Sequence, residues 1–218
     1  MTVTKVTILG IALAITGLTV WFSCSSDTTA RQPVSHEEMI KRGEYLVATI
    51  GCTNCHTPKV MTPEGPKSND AMFLAGHPQD ASIPADPFPF PNSDEWSGIF
   101  STEGAAWAGP WGISFATNLT PDTLTGIGAW NEEVFIGAMR TGEHMGGSRV
   151  TRPSFTVSQS DSVHADKHAG VKRQILPPMP WESYSKLSDE DLKSIFAYLK
   201  SLKPVENMVP APVPPADE

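Results

Sequence analysis

One cluster of reactive side chains, CTNCH at residues 52–56, constrains this chain more than any other part of its sequence. Cys52 and Cys55 are separated by two residues, and His56 follows the second cysteine directly. Such a cluster serves in redox-active dithiols, in zinc sites and in covalent haem attachment. Each of these chemistries needs different surroundings, so the neighbouring sequence decides between them.

Two of the three interpretations lack the sequence context that they require. A thioredoxin-like dithiol belongs to a βαβ unit, whereas here a helical pattern precedes the motif and a segment rich in Pro and Gly follows it. A structural zinc ion needs four ligands, commonly from a second Cys or His pair. There is no second CxxC, and a site completed by His164 and His168 would leave His56 without a role.

Haem attachment gives all three residues of the cluster a role. Two thiols at this spacing can add to the two vinyl groups at the porphyrin edge, and the next residue then lies under the ring. We therefore predict one covalent haem c, held by Cys52 and Cys55, with His56 as the proximal ligand of the iron.

The second axial ligand determines whether such a haem transfers electrons or binds small molecules. Met179, in the stretch LPPMPW, is the favoured candidate because its proline neighbours keep the backbone extended. It also precedes the last predicted helix, so the haem would be held between the two halves of the chain. Met145, a histidine such as His77 or His144, and an open site are the alternatives.

Three segments have helical periodicity and capping signals: 35–51, 130–142 and 187–204. Residues 57–128 are rich in Pro, Gly, Asn and Asp and contain no convincing strand, so we expect ordered loops there. The predicted fold is all-α, a domain of three or more helices around a covalent haem, with long ordered loops. The expected N-terminal caps are Ser35 (with Glu38), Asn131 and Ser188 (with Asp191). Apolar positions expected to be buried include Leu46, Val47, Val134, Phe135, Leu192, Ile195, Phe196 and Leu199.

The N-terminus reads as an export segment. Lys5 precedes an uncharged run over residues 6–22, and Cys24 follows it as in a bacterial lipoprotein. Cys24 is therefore a candidate for lipidation, with an uncleaved membrane anchor or ordinary secretion as alternatives. We divide the chain into a leader or anchor (1–24), a flexible tether (25–35), the main domain (36–203) and a Pro-rich flexible tail (204–218). The net charge of -8 argues against a nucleic-acid partner.

Four stretches together resemble a known family. They are GEYLVATIGCTNCHTP (43–58), FLAGH (73–77), ATNLTPDTLTGIGAWNEEVFIGAMRTGEH (116–144) and LPPMPWESYSKLSDEDLKSIFAYLKSL (176–202). The chain resembles class I-type monohaem cytochromes c, and in particular the cytochrome domains or subunits of periplasmic alcohol and gluconate dehydrogenases. The resemblance implies that the first and last helices cross beside the haem, with Gly43 close to Phe196 or Tyr198. It also implies Asn118 and Trp181 as neighbours of the haem.

The resemblance further implies a function. We expect a non-catalytic carrier that passes single electrons between a dehydrogenase and a respiratory acceptor, on the periplasmic side and held at the membrane by its N-terminus. A permanent subunit of an oxidoreductase complex is a variant of this function. The alternative is a haem peroxidase or ligand-binding sensor with a labile Met179, in which His144, Arg149 and Arg152 lie in one stretch. Family members often carry several CxxCH motifs, whereas this chain has one.

Overall fold

The computed structural model describes residues 34–83, 98–145 and 172–215. The leader with Cys24, most of the tether, and the pair Arg149 and Arg152 lie outside the described residues. Within the described ranges, no helix has both the length and the apolar character needed to cross a membrane.

Five helices occur in this part of the chain: α1 (His36–Thr49), α2 (Cys52–His56), α3 (Glu132–Thr141), α4 (Trp181–Tyr184) and α5 (Asp189–Ser201). Helices α1, α3 and α5 confirm the three predicted segments. Their caps are also confirmed, since the side chains of Ser35, Asn131 and Ser188 each accept a hydrogen bond from the amide three residues on. At Ser35 the carboxylate of Glu38 completes the reciprocal capping box.

Helices α1 and α5 pack closely, and Gly43 is the reason that they can. A Cβ atom at Gly43 would lie 1.9 Å from the carbonyl oxygen of Ser194 and 2.7 Å from Cβ of Tyr198. The predicted close approach of Gly43 to the last helix is thus confirmed. The expectation for Val134 was wrong: it lies on α3 outside the buried stripe and is 38% exposed. The core between these helices is formed by Leu46, Val47, Leu74, Ile127, Phe135, Leu192, Ile195, Phe196 and Leu199.

The prediction of an all-α fold was wrong, because seven short strands form three antiparallel sheets within the described ranges. Strands β1 (Lys59–Thr62) and β2 (Gly65–Ser68) form one hairpin. Strands β3 (Ile99–Phe100), β4 (Ala106–Gly109) and β5 (Gly112–Phe115) form a three-stranded meander. Strands β6 (Glu143–Met145) and β7 (Lys172–Gln174) pair on either side of residues outside the described ranges. The domain is therefore mixed, with helices and small sheets.

Tight turns explain why residues 57–128 contain strands rather than only loops. The pairs Thr62–Gly65 and Gly109–Gly112 each close a two-residue connection that contains a proline. Both of these prolines lie in turns, where their missing N–H costs nothing. A third, Pro66, lies in β2, an edge strand of a two-stranded sheet, where a proline is tolerated. Gly112 has φ 91°, and a Cβ atom there would lie 2.0 Å from the carbonyl oxygen of Val213. Ala106, Ala108, Ile113 and Phe115 form a second small apolar cluster on this sheet.

The segment after α5 is anchored to the domain, at least as far as residue 213, rather than forming the flexible tail that we expected. Asn207 is 1% exposed, and its side chain donates to the carbonyls of Ala75 and His77 at 2.7 and 2.9 Å. Further along, Val213 and Ile113 exchange two backbone hydrogen bonds. The tail thereby covers the meander and the loop that contains His77.

Candidate functional site

The two cysteines lie on a helix of a single turn that starts directly after α1. Helix α1 ends where the amide of Ile50 donates to the carbonyl of Leu46 at 2.9 Å. Gly51 then adopts a left-handed conformation with φ 85°, which glycine reaches without strain. The chain therefore turns sharply, and α2 begins at Cys52.

Cys52 and Cys55 are free thiols three positions apart on α2, so they share one face of the helix. Burial raises the pKa of Cys52 to about 11 and also raises the pKa of Cys55, an effect that the nearby Lys59 partly offsets. A redox-active dithiol needs a lowered thiol pKa. The environment of α2 therefore disfavours the dithiol interpretation and keeps both thiols protonated.

His56 is buried and held in one tautomer. Its Nδ1 lies 2.8 Å from the carbonyl oxygen of Thr117, which can only accept a hydrogen bond. Nδ1 must then carry the proton, and Nε2 has a lone pair available for a metal. Burial lowers the pKa of His56, which favours the same neutral ring. This is the arrangement that a histidine ligand of iron requires.

Two loops fix the backbone around His56. The amide of Gly76 donates to the carbonyl of His56 at 2.8 Å, and the amide of Leu74 donates to the hydroxyl of Thr57 at 3.0 Å. The same loop continues to His77, whose amide donates to the carbonyl of Ala116, next to Thr117. The structure thus joins the stretches 43–58, 73–77 and 116–144 that carried the family resemblance.

Met179 lies half-buried in a strap that is fixed to the sheet before it. The carbonyl of Pro177 accepts a hydrogen bond of 2.5 Å from the hydroxyl of Ser114 on β5. Ser114 also accepts from the indole of Trp111 at 3.2 Å. The strap is therefore tied to the buried side of the three-stranded sheet.

The short helix after Met179 is bonded to the end of α1, just before the helix that carries the thiols. The hydroxyl of Tyr184 donates to the carbonyl of Ile50 at 3.0 Å, two residues before Cys52. Burial raises the pKa of Tyr184, and the nearby Cys52 and Cys55 raise it further. Tyr184 is therefore a residue of the thiol environment that sequence reasoning missed, although it lies within one of the quoted stretches.

Trp181 packs against helix α3. A Cβ atom at Gly142 would lie 2.4 Å from Cε2 of the Trp181 ring, so only glycine at this helix end leaves room for the indole. Trp181 thus connects α4 with the end of α3. Its predicted contact with the haem stays a prediction.

The other residues considered for the distal position lie in different surroundings. Backbone hydrogen bonds pair Met145 with Lys172 in the β6–β7 sheet. His144 is half-buried, with its ring centroid 6.2 Å from that of Trp130. His77 is 2% exposed, and its ring lies 4.8 Å from that of Phe115, on the loop that supports His56.

Asn118 connects loops within the protein. Its Nδ2 donates to the hydroxyl of Thr125 at 3.1 Å and to the carbonyl of Val205 at 2.8 Å. Its Oδ1 accepts from the amide and the hydroxyl of Thr120. Both amide hydrogens of Asn118 are therefore used within the protein, and its predicted place beside the haem stays a prediction.

The described residues fit a covalent haem c. A pair of protonated thiols on one helical turn is followed by a neutral histidine with Nε2 available, and the tautomer is set by Thr117. Sequence reasoning missed Thr117 because its main-chain carbonyl makes the contact, so no side chain could indicate it. Lys59, whose ammonium contacts the end of α2, was missed because it lies outside the five-residue motif.

Comparisons with known proteins give a consistent result. No family model matches the chain. The chain is 28% identical over 173 residues to the fructose dehydrogenase cytochrome subunit of Gluconobacter japonicus. The aligned residues make up 79% of this chain and 23% of that protein. It is 26% identical over 164 residues to the gluconate 2-dehydrogenase cytochrome c subunit of Pantoea cypripedii, covering 75% of this chain and 23% of that protein.

A third relative is the cytochrome c subunit of the quinone-dependent alcohol dehydrogenase of Gluconobacter oxydans. It is 26% identical over 177 residues, covering 81% of this chain and 24% of that protein. The chain thus spans about a quarter of the length of these relatives. The resemblance predicted from the sequence motifs is confirmed: over most of its length, this chain is similar to the cytochrome c subunits of bacterial sugar, sugar-acid and alcohol dehydrogenases.

Proposed function

We propose that this chain is an electron-transfer cytochrome c with one haem, held covalently by Cys52 and Cys55 and ligated by His56 and Met179. It carries single electrons from a dehydrogenase to a respiratory acceptor and does no substrate chemistry itself. The names of its relatives support the cytochrome role. The assignment of the ligands rests on the residues of this chain.

The observation that carries the proposal is the hydrogen bond between His56 and Thr117. It leaves Nε2 unprotonated at the residue that directly follows the two thiols. A histidine buried only for packing does not need its proton on Nδ1, nor a position directly after two thiols. A ligand of haem iron needs it, because the hydrogen bond at Nδ1 orients the ring and raises the basicity of Nε2.

Each residue has a defined task in the proposed site. The thiols of Cys52 and Cys55 each add across a vinyl double bond; sulfur bonds to one carbon, the hydrogen goes to the other, and no oxidant is needed. The haem would supply an iron that changes by one electron. The strap around Met179 would offer a thioether to the iron, and thioether ligation raises the potential of such a centre relative to two histidines.

We propose that the domain works at the outer face of the cytoplasmic membrane, with Cys24 lipidated or the leader retained. The uncharged run at 6–22 and the cysteine behind it support this location. Anchoring would raise the effective concentration of the carrier near membrane-bound dehydrogenases. Incorporation of labelled fatty acid into the exported chain is the measurement that tests it.

The visible spectrum of the exported protein tests the function. We expect a haem that resists acid–acetone extraction, with a sulfur-to-iron charge-transfer band in the ferric form. Met179→Ala should lose this band, lower the midpoint potential and bind carbon monoxide when reduced, because the sixth position opens. Met61→Ala is the matched control, since Met61 is 64% exposed on β1, and it should keep the wild-type spectrum.

Two results would contradict the proposal at different levels. Persistence of the charge-transfer band in Met179→Ala would show that Met179 is not the ligand. An exported wild-type chain without covalent haem would remove the cytochrome function altogether.

A further inference from the structure

Helix α2 has too few residues to be stable alone. It spans Cys52–His56, and isolated helices of this length do not form in water. Its N-cap residue, Gly51, has no side chain to satisfy the first amides. The positions of the thiols and of His56 therefore depend on contacts from outside α2.

The C-terminal end of α2 is closed by one lysine side chain. Nζ of Lys59 donates to the carbonyls of Thr53 at 3.4 Å, Asn54 at 3.1 Å and Thr57 at 2.5 Å. These carbonyls form the negative end of the helix, where a cation is favourable. The three N–H groups of one ammonium thus have three carbonyl acceptors within a single helical turn.

The backbone of Lys59 is anchored independently of its side chain. Its amide donates to the carbonyl of Glu103 at 2.8 Å, and the residue begins strand β1. The ammonium is thus presented to α2 from a hairpin that does not belong to the helix. Lys59 acts as an external clamp on the turn that carries the thiols.

The charge of Lys59 lies close to Cys55 and has no acidic partner among the residues that the structure describes. Within the described ranges, no carboxylate lies at ion-pair distance from its Nζ, because the side chain of Glu103 is directed to His77 instead. The ammonium is near enough to Cys55 to lower the pKa of that thiol against the effect of burial. An attached haem would therefore have this positive charge beside one of its attachment points.

We propose that Lys59 is a positioning residue for the haem-attachment helix. Its ammonium holds the turn of Cys52, Cys55 and His56 in place for attachment and keeps a positive charge beside the attached haem. A positive charge there disfavours the more positive, oxidised state and so raises the midpoint potential. The inference rests on the proposed cytochrome function.

The test compares Lys59→Met with Lys59→Arg and with Lys67→Met in the full exported chain. Lys67 is a matched control on the same hairpin, where it pairs with Glu64 at 3.0 Å and is 60% exposed. The readouts are the fraction of chains with covalent haem, from the intact mass, and the midpoint potential of the loaded fraction at fixed pH and ionic strength.

Lys59→Met should load a smaller fraction of chains, and its loaded fraction should have a lower midpoint potential than the wild type. Lys59→Arg keeps the charge and should restore both quantities, and Lys67→Met should change neither. A purely structural role for Lys59 would lower the loading without moving the potential, and this result would overturn the proposal. So would equal potentials in the Lys59→Met and Lys67→Met proteins.

If no Lys59→Met chain carries covalent haem, the haem loading of Lys59→Arg tests the proposal instead. Loading at the wild-type level would support the positioning role of Lys59, and loss of loading would overturn it. Failure of the cytochrome function is distinguishable, because it would appear as absence of covalent haem in the wild-type chain itself.

Discussion

At the scale of single residues, the motif predicts its own ligands but not what supports them. Cys52, Cys55 and His56 follow from their spacing, because each has a chemical task that only these side chains perform. The carbonyl of Thr117 sets the tautomer of His56, and a carbonyl is common to every residue. Such main-chain contacts depend on the path of distant loops, so no local pattern predicts them.

His77 gives a prediction about pH. Burial lowers its pKa, and Glu103 counteracts this effect only in part, with its Oε1 3.1 Å from Nδ1 but outside hydrogen-bond geometry. The unfolded chain therefore takes up a proton at His77 below about pH 6.5, whereas the folded chain takes it up only at a lower pH. The free energy of unfolding should decrease as the pH falls through this range.

His77→Asn should make that decrease smaller, as measured by urea denaturation at several pH values between about 7 and 5. His36→Gln is the control, because His36 is exposed at the start of α1. If His77→Asn and the wild type lose stability in parallel, burial of a neutral His77 is not the cause.

At the scale of elements, long helices with caps are predictable and short strands are not. Helices α1, α3 and α5 span 14, 10 and 13 residues, which is enough for their apolar period to show. In the part of the chain that the structure describes, no strand exceeds four residues, which is too few for alternation to be recognised. Their turns use Pro-Glu and Pro-Trp rather than the Asn-Gly or Asp-Gly pairs that mark hairpins.

The crossing of α1 and α5 gives a prediction at this scale. Gly43→Ala places a methyl group against the Ser194 carbonyl, so the helices must separate, and we expect a loss of about 1 to 3 kcal/mol or more of unfolding free energy. Gly137→Ala is the matched control on α3, where a Cβ atom meets nothing within 4 Å. It should stabilise by about 0.5 to 1 kcal/mol through helix propensity. Equal effects of both substitutions on urea denaturation would contradict this account.

At the scale of the whole molecule, the segment after α5 is bound to the loop that contains His77 and to the three-stranded sheet, whereas its composition suggested a free tail. Five prolines after residue 203 indicate a flexible tail, yet Asn207 is almost fully buried. Its amide binds the loop that in turn binds the carbonyl of His56 through Gly76. Amino-acid composition indicates only the average tendency of a segment to be ordered. Here one asparagine, through two buried carbonyls, determines where the segment lies.

Asn207→Ala should therefore destabilise the domain by about 2 to 4 kcal/mol, because the carbonyls of Ala75 and His77 lose their buried donor. Met208→Ala is the control from the next position, where the side chain is 57% exposed, and it should change the unfolding free energy little. Thermal and urea denaturation of the two variants measure the difference. Similar stability of both variants would show that the tail does not hold the loop.

The pairing of the first and last helices also determines when the molecule can fold. Arg42 on α1 binds Asp191 on α5 across 149 positions of the chain. A contact of this separation pays a large loop-closure entropy and forms slowly. In the export that we propose, α1 and the thiols of α2 precede α5 in the chain and would reach the outer face of the membrane before it. For that interval the thiols would belong to an open chain, accessible to whatever attaches the proposed haem, and the arrival of α5 would end the interval.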